Sequence, residues 1–209
     1  IDVTSGGDAI AAETDAVIID GSFILSSGGG SSMKADSSKS TKGIKGVVNV
    51  IIDNGTFTIS SSDDAVHSNG NLTINGGTFA ISSGDDGIHA DSSISLNGGD
   101  VNITKSYEGI ESAVITINDG EFHIIASDDG LNVAGGKDGS GMNGWGGGGH
   151  GGLSGSYYLY INGGYIVSTA SGDGIDVNGA ITMTGGQVIV NGPTSDGNGA
   201  LDYDSSFKI

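Results

Sequence analysis

The stretch Asp85-Asp86-Gly87-Ile88-His89 recurs in altered form along the chain and decides the fold. Its neighbouring copies are Asp63-Asp64-Ala65-Val66-His67 and Tyr107-Glu108-Gly109-Ile110-Glu111, with corresponding residues 22 positions apart. Later copies begin at Asp128 and Gly172, the second of them after one further repeat plus an insertion of similar length. A regular period of this size indicates a repeat protein whose units stack on one another.

Each repeat contains short alternating segments around a glycine turn, as in residues 72–81. Alternation with β-branched residues predicts strands, and no window has the helical period of about 3.6 residues. Residues one repeat apart keep their character, so we expect the strands of successive repeats to stack in register. The predicted columns are Phe23, Phe57, Phe79, Val101, Phe122, Ile166 and Val188; Ile52, Ile74, Leu96, Ile117, Ile161 and Met183; Ile44, Val66, Ile88, Ile110, Leu131 and Ile175; and a polar ladder of Asp53, Asn75, Asn97, Asn118 and Asn162.

These columns predict a single all-β domain over residues 1–209, a right-handed parallel β-helix. It would contain about seven to eight coils of about 22 residues. We expect a Ser/Lys-rich surface loop at 28–42, with Lys34, Lys39 and Lys42 on it, and a Gly-rich insertion at 135–156. A calcium β-roll has a period of about nine, and an antiparallel sandwich does not explain columns at this spacing.

The composition is strongly acidic, with 25 Asp and Glu, seven Lys, no Arg and a formal net charge of −18. Nucleic acids and anionic membranes are bound by Lys and Arg, so we expect neither as a partner. No apolar run is long enough for a membrane helix, so no membrane insertion is expected. The absence of Cys excludes disulfides and thiol chemistry. We expect a monomeric bacterial protein that is secreted or on the cell surface.

Stacking the repeats produces two charged columns that we expect to share the outer side of the rod. Two carboxylates ~5 Å apart repel by roughly 3–4 kcal/mol at an effective dielectric of about 20. Protonation, splaying into solvent or a bound cation would relieve that repulsion. The first column is Asp64, Asp86, Glu108, Asp129 and Asp173, with Asp63, Asp85 and Asp128 beside it, and the second is Lys45, His67, His89, Glu111, Asn132, Asp176 and Asp202.

Calcium is the cation that we expect, because it takes about six to eight oxygen ligands with loose geometry. An alternative interpretation is that Asp-Gly pairs serve only as turn formers. The predicted sites lie between coils and combine Asp128 and Asp129 with Asp173 and Asp176, Asp85 and Asp86 with Glu108 and Glu111, and Asp63 and Asp64 with Asp85 and Asp86.

The units at 62–67, 84–91, 107–111 and 127–132, with the ending at 199–204, resemble a bacterial family of carbohydrate-binding parallel β-helix proteins. The resemblance covers most of the chain from about Val47 onward. That family is similar in fold to the family-nine polysaccharide lyases, and the resemblance implies calcium and plant cell-wall ligands such as cellulose and polygalacturonate. Those lyases hold calcium with an Asp and an Asp-Asp-x-x-Asp run. The nearest match here is Asp128-Asp129 followed by Asp173 and Asp176, with Gly172 in place of the first Asp of the run.

The expected function is therefore calcium-dependent, non-catalytic binding of these polysaccharides. A lyase using calcium and Lys105 as its base is one alternative, because β-elimination needs a strong base near the metal. A structural surface rod stiffened by calcium is another. The candidate carbohydrate-binding residues are Trp145 in the insertion, Lys105 and Tyr107. Outward-facing members of the tyrosines at 157, 158, 160 and 165 could add an aromatic platform.

Overall fold

The computed structural model describes residues 1–36, 38–134 and 157–209, and these residues form short β-strands and no helix. None of these described residues belongs to a helix that is long and apolar enough to span a bilayer. The strands are β1 (Asp2–Ser5), β2 (Ile10–Ala12), β3 (Asp15–Ile18), β4 (Ser22–Ser27), β5 (Ile44–Gly46), β6 (Asn49–Ile52), β7 (Thr56–Ser61), β8 (Val66–Ser68), β9 (Asn71–Ile74), β10 (Thr78–Ser83), β11 (Ile88–Leu96), β12 (Asp100–Lys105), β13 (Ile110–Ile117), β14 (Glu121–Ala126), β15 (Leu131–Val133), β16 (Tyr158–Ile161), β17 (Tyr165–Ala170), β18 (Ile175–Val177), β19 (Ala180–Met183), β20 (Gln187–Asn191), β21 (Asp202–Tyr203) and β22 (Phe207–Lys208).

The strands form an eight-stranded sheet and a fourteen-stranded sheet. All strand pairs of the described residues are parallel. The eight-stranded sheet has the order β1-β4-β7-β10-β12-β14-β17-β20. The fourteen-stranded sheet contains two tracks, one through β2, β5 and β8 and the other through β3, β6 and β9, and the long strands β11 and β13 belong to both.

The strand register confirms the columns predicted from the sequence. Phe57 lies opposite Phe79, and Phe79 lies opposite Val101 in the next repeat. The rings of Phe23, Phe57 and Phe79 stack with centroid separations of 4.8 and 4.6 Å. Equivalent apolar residues of the fourteen-stranded sheet pair in the same way. An in-register parallel stack therefore explains why residue type repeats with the period of the sequence.

Alternate residues of both sheets point into the core, where their buried side chains form one continuous hydrophobic cluster. Strand β14 shows the alternation, because Phe122 is fully buried whereas Ile125 is 51% exposed. Alternation with a period of two places one set of side chains on the core face of each strand and the other set outside.

The predicted amide ladder is confirmed at the corner after the second track of the fourteen-stranded sheet. Asn75 donates to Asp53 at 2.7 Å, and each following amide donates to the one before it at 2.7–2.8 Å. Glycine follows within two residues, and Gly99 has φ +103°, a value that favours residues without a β-carbon. Stacked amides thus satisfy one another from one repeat to the next.

We predict that Phe122→Ala lowers the free energy of unfolding by about 3–5 kcal/mol, because it removes a fully buried ring and leaves a cavity. Ile125→Ala, on the opposite face of the same strand, should change it little. Chemical denaturation of both variants measures the difference. Equal losses would mean that the face of β14 is assigned wrongly, since a slip of one residue exchanges the two faces.

Candidate functional site

The first acidic column lies at the turn that follows each strand of the eight-stranded sheet, and it forms a ladder between coils. One carboxylate oxygen of each Asp accepts the backbone N–H of the equivalent residue in the next coil. This geometry favours Asp, whose short side chain places the oxygen close to the corner backbone. The bonds are Lys42 N to Asp8 at 2.8 Å, Asp86 N to Asp64 at 3.1 Å, Glu108 N to Asp86 at 3.2 Å, Asp173 N to Asp129 at 2.5 Å, and Gly199 N to Asp173.

The second column follows the predicted register. The prediction that the two columns lie on the outer surface is wrong for the earlier coils, where both columns are buried. Asp64, Asp86 and His89 are 0% exposed and His67 is 1% exposed. The prediction fails because the columns turn toward each other and pair. Asp64 Oδ2 lies 2.7 Å from His67 Nδ1, and the His67 and His89 rings stack at 4.9 Å. The acidic column in these coils is therefore an internal feature of the fold.

Lys42 neutralises the first buried carboxylates of the column. Its Nζ donates to Asp64 Oδ2 at 2.7 Å and to Asp63 Oδ1 at 3.0 Å, and the residue is only 4% exposed. Burial alone would raise the pKa of Asp64, but the hydrogen bond with His67 and the charge of Lys42 hold it well below its ordinary value. The prediction of Lys42 as a surface residue is wrong, whereas Lys34 and Lys39 are exposed.

Sequence reasoning missed this role of Lys42, although a signal was present. Lys42 precedes Gly43-Ile44 and stands 22 residues before Asp64, in the register that other repeats fill with an acid. A cation in an otherwise acidic column is the pattern expected for an internal counter-ion.

His89 supplies the next positive charge. Its Nδ1 lies 3.1 Å from Asp86 and 2.8 Å from Glu111, and its Nε2 lies 3.3 Å from Asp91. Burial alone would lower the pKa of His89, but hydrogen bonds to Asp86 and Glu111 outweigh that effect and raise it to about 12. The acids around His89 therefore favour its protonated form within the predicted calcium group of Asp85, Asp86, Glu108 and Glu111, while burial raises the pKa of Asp86 well above its ordinary value.

The C-terminal coils have a different balance of positive and negative side chains. Where earlier coils carry His67 and His89, the second column here carries Asn132 and Asp176. Oxygens of Asp129, Asp173 and Asp176 lie within 4.8 Å of one another. Burial raises the pKa of Asp129 to about 7 and that of Asp176 to about 6, and neighbouring aspartates reinforce both shifts. We call these three residues and Asp128 the C-terminal aspartate cluster. They are the four residues of the first predicted site.

Gly172 lies next to the carboxylates of Asp128 and Asp129. A β-carbon there would lie 2.3 Å from Oδ1 of Asp129 and 2.5 Å from Oδ1 of Asp128. The two carboxylates therefore converge on space that any side chain at 172 would fill.

Glu108 lies between the two halves of the column. Its Oε2 accepts a hydrogen bond of 2.6 Å from Asn132 Nδ2. Burial raises the pKa of Glu108 to about 8, and repulsion from Glu111 adds to the shift. Among the described residues, the buried Oδ1 of Asn132 has no hydrogen-bond partner.

The three candidate carbohydrate-binding residues fall in different places. Tyr107 lies beside the C-terminal aspartate cluster, and its hydrogen bond to Asp128 raises the pKa of the phenol above its ordinary value. Lys105 is exposed, and its ammonium donates to the backbone carbonyl of Ser31. Trp145 lies outside the described residues.

A family model matches the N-terminal part of the chain. The model of a family described as "Carbohydrate-binding domain-containing protein" matches residues 1–87. No curated protein and no solved structure matches the chain. The matched segment includes Lys42 and the buried Asp64–His67 pair, and it ends before the C-terminal aspartate cluster.

We predict that Lys42→Met destabilises the protein by about 3–5 kcal/mol, because two carboxylates lose their buried counter-ion. Lys39→Met is the matched control, since Lys39 lies 3.8 Å from Asp36 with both side chains exposed, and it should have little effect. Urea unfolding measures both. A Lys42 variant as stable as the Lys39 variant would contradict the role of Lys42 as an internal counter-ion.

We predict that, with a metal chelator present, stability falls as the pH rises from about 5 to about 8. The folded-state pKa values of Asp176, Asp129 and Glu108 are raised to about 6, 7 and 8, so the folded chain holds protons that the unfolded chain releases. Ionising these groups in the folded state therefore costs stability. Thermal melting across this range tests the sign, and a melting temperature that rises with pH would contradict it.

Proposed function

We propose that the protein is a right-handed parallel β-helix that binds plant cell-wall polysaccharides without catalysis and with the help of calcium, outside a bacterial cell. The observation that carries the proposal is the convergence of aspartates in the C-terminal coils, where the second column of the described residues has Asn132 and Asp176 in the places of His67 and His89. Carboxylates held this close favour a divalent cation over ionisation alone.

The strand pattern supports the β-helix. Pairs join equivalent residues of successive repeats, mostly 22 positions apart, and three strand tracks recur in each repeat. The two sheets contribute to one core cluster, as expected when a chain winds repeatedly around the same axis. The right hand follows from the general rule for parallel crossover connections.

The donor set of the C-terminal aspartate cluster fits calcium. It consists of carboxylate oxygens from Asp129, Asp173 and Asp176, with the carboxylate of Asp128 above Gly172. Hard oxygen donors without nitrogen or sulfur suit calcium better than zinc. When bound, calcium would supply positive charge that protein carboxylates and the carboxylates of an acidic sugar can share.

Two findings support a carbohydrate as the partner. The family model that matches residues 1–87 is described by carbohydrate binding. A chain of net charge −18 can approach polygalacturonate only where its own charge is neutralised, and the aspartate cluster is such a place once it holds a cation. We assign Tyr107, whose phenol interacts with Asp128 beside the cluster, to contact with the bound sugar.

The contacts of Lys105 do not favour the lyase alternative. An eliminating base must reach the sugar α-proton next to the metal. Lys105 instead directs its ammonium to the backbone of Ser31, in the segment between β4 and β5. We therefore propose binding without bond cleavage.

We predict that calorimetric titration shows calcium binding and that Asp176→Asn weakens it at least about tenfold by removing one charged ligand. The same variant should lose calcium-dependent retardation in native gels containing polygalacturonate. Asp100→Asn, an exposed acid on the eight-stranded sheet, is the matched control and should behave as the parent chain.

Three outcomes distinguish the binding function from the structural rod and from the lyase. Retardation of the parent chain by a polysaccharide supports the binding function. Calcium binding without retardation in polygalacturonate or neutral glucan gels would instead favour the structural rod. Unsaturated products from polygalacturonate, with a rate abolished by Lys105→Ala, would overturn the non-catalytic proposal.

A further inference from the structure

The described tyrosines near the insertion divide into three environments. Tyr157 is half-buried and packs against the hydrophobic core. Tyr165 lies on the eight-stranded sheet. Tyr158 and Tyr160 lie two residues apart on β16, where both side chains alternate outward from Leu159, which is fully buried. Only the last pair therefore shares one outer face of the fourteen-stranded sheet.

The rings of Tyr158 and Tyr160 stack against each other on the outer face of β16. Their centroids are 5.8 Å apart with an angle of 23° between the planes, and Tyr158 is 37% exposed. Small side chains flank them in both neighbouring coils. In register these are Val114 and Thr116 before the pair and Ala180 and Thr182 after it. No bulky neighbour in these strands overhangs the rings.

In the four coils around the tyrosine pair this face carries no charge, and Lys208, in register with Thr182, follows in the next coil. The outward residues of four successive coils around the pair are Ser93, Ser95, Val114, Thr116, Ala180 and Thr182. With a net charge of −18 distributed over 209 residues, an uncharged strip of this size marks a surface suited to an uncharged ligand.

The amide ladder borders the same face. Asn162 follows the outward Tyr160 by two residues, donates to Asn118 at 2.8 Å, and accepts from Thr184 at 3.0 Å. An amide group has two N–H donors and an oxygen with two lone pairs. Among the described residues the ladder uses one donor and one lone pair of Asn162, which leaves another donor and acceptor at this exposed corner. The same inventory holds for Asn118, which donates to Asn97 at 2.7 Å.

We propose that Tyr158 and Tyr160, with the adjoining amides of Asn118 and Asn162, form a binding site for a neutral glycan chain. A sugar ring has an apolar face of C–H groups that packs on an aromatic ring, and hydroxyl groups at its edge that pair with amides. The proposal rests on the proposed carbohydrate-binding function. It assigns uncharged polysaccharide to this face and acidic polysaccharide to the C-terminal aspartate cluster, and binding at this face requires no metal.

Tyr165 does not offer an equivalent site. Its ring lies 6.0 Å from that of His123 and tilts 56° from it, so the two rings do not form a flat surface. Glu121 is opposite Tyr165 in the register and accepts from His123 at 2.8 Å. Asp100 lies in the same column one coil earlier. This charged face makes Tyr165 a suitable matched control.

Affinity electrophoresis in gels containing hydroxyethyl cellulose or polygalacturonate, with calcium or with chelator, tests the proposal. The variants are Tyr158→Ala/Tyr160→Ala, Tyr158→Phe/Tyr160→Phe and Tyr165→Ala. We expect the double alanine variant to lose at least about tenfold in affinity for hydroxyethyl cellulose while its calcium-dependent retardation by polygalacturonate is unchanged. The double phenylalanine variant keeps both rings and should retain most of the affinity, and Tyr165→Ala should match the parent chain.

The outcomes distinguish this site from the general function. If the parent chain binds polygalacturonate but not the neutral glucan, or if the double alanine variant binds the neutral glucan as the parent does, the proposed site is wrong and the carbohydrate-binding function stands. If neither polymer retards the parent chain, both proposals are wrong. Should the double alanine variant fail to fold, tyrosine difference absorbance of the parent chain with cello-oligosaccharide replaces it. No spectral change at saturating sugar would then refute the site.

Discussion

Neutralising a column of carboxylates in successive coils is the constraint on which the rest of this structure depends. The repeat places an acid at the same corner of most coils, and one oxygen of each Asp accepts a hydrogen bond from the backbone of the next coil. These hydrogen bonds tie coil to coil, but they also bring like charges close together. The fold is stable only if each carboxylate gains a cation, a proton or a hydrogen-bond donor.

The two halves of the chain meet this constraint in different ways. In the earlier coils Lys42 and His89 provide the positive charge from within the protein, and the acids they serve are buried. In the later coils Asn132 and Asp176 take the places of the histidines, so the charge of Asp129 is not compensated in the same way. We therefore assign the proposed cation-dependent function to the C-terminal coils, and the proposed neutral-glycan site to the outer tyrosine face.

Much of the fold could be predicted from the sequence, because in-register stacking makes each column a direct copy of the repeat. The phenylalanine column and the ladder around Asn97 were predictable for this reason. The burial of Asp64 and the counter-ion role of Lys42 were not predicted, since side-chain direction at a corner depends on how the backbone turns there. Selecting Tyr158 and Tyr160 from four neighbouring tyrosines likewise required the strand faces. Trp145 lies outside the described residues, so its role stays a prediction.

Backbone hydrogen exchange with and without calcium tests the central claim most directly. We predict that calcium slows exchange of the Asp173 and Gly199 amides, which donate to the carboxylates of the C-terminal aspartate cluster. The Asp86 amide, bonded to Asp64 in the self-neutralised coils, should exchange at the same rate in both conditions. Equal protection of all three amides by calcium, or none at any of them, would contradict the division between the two halves.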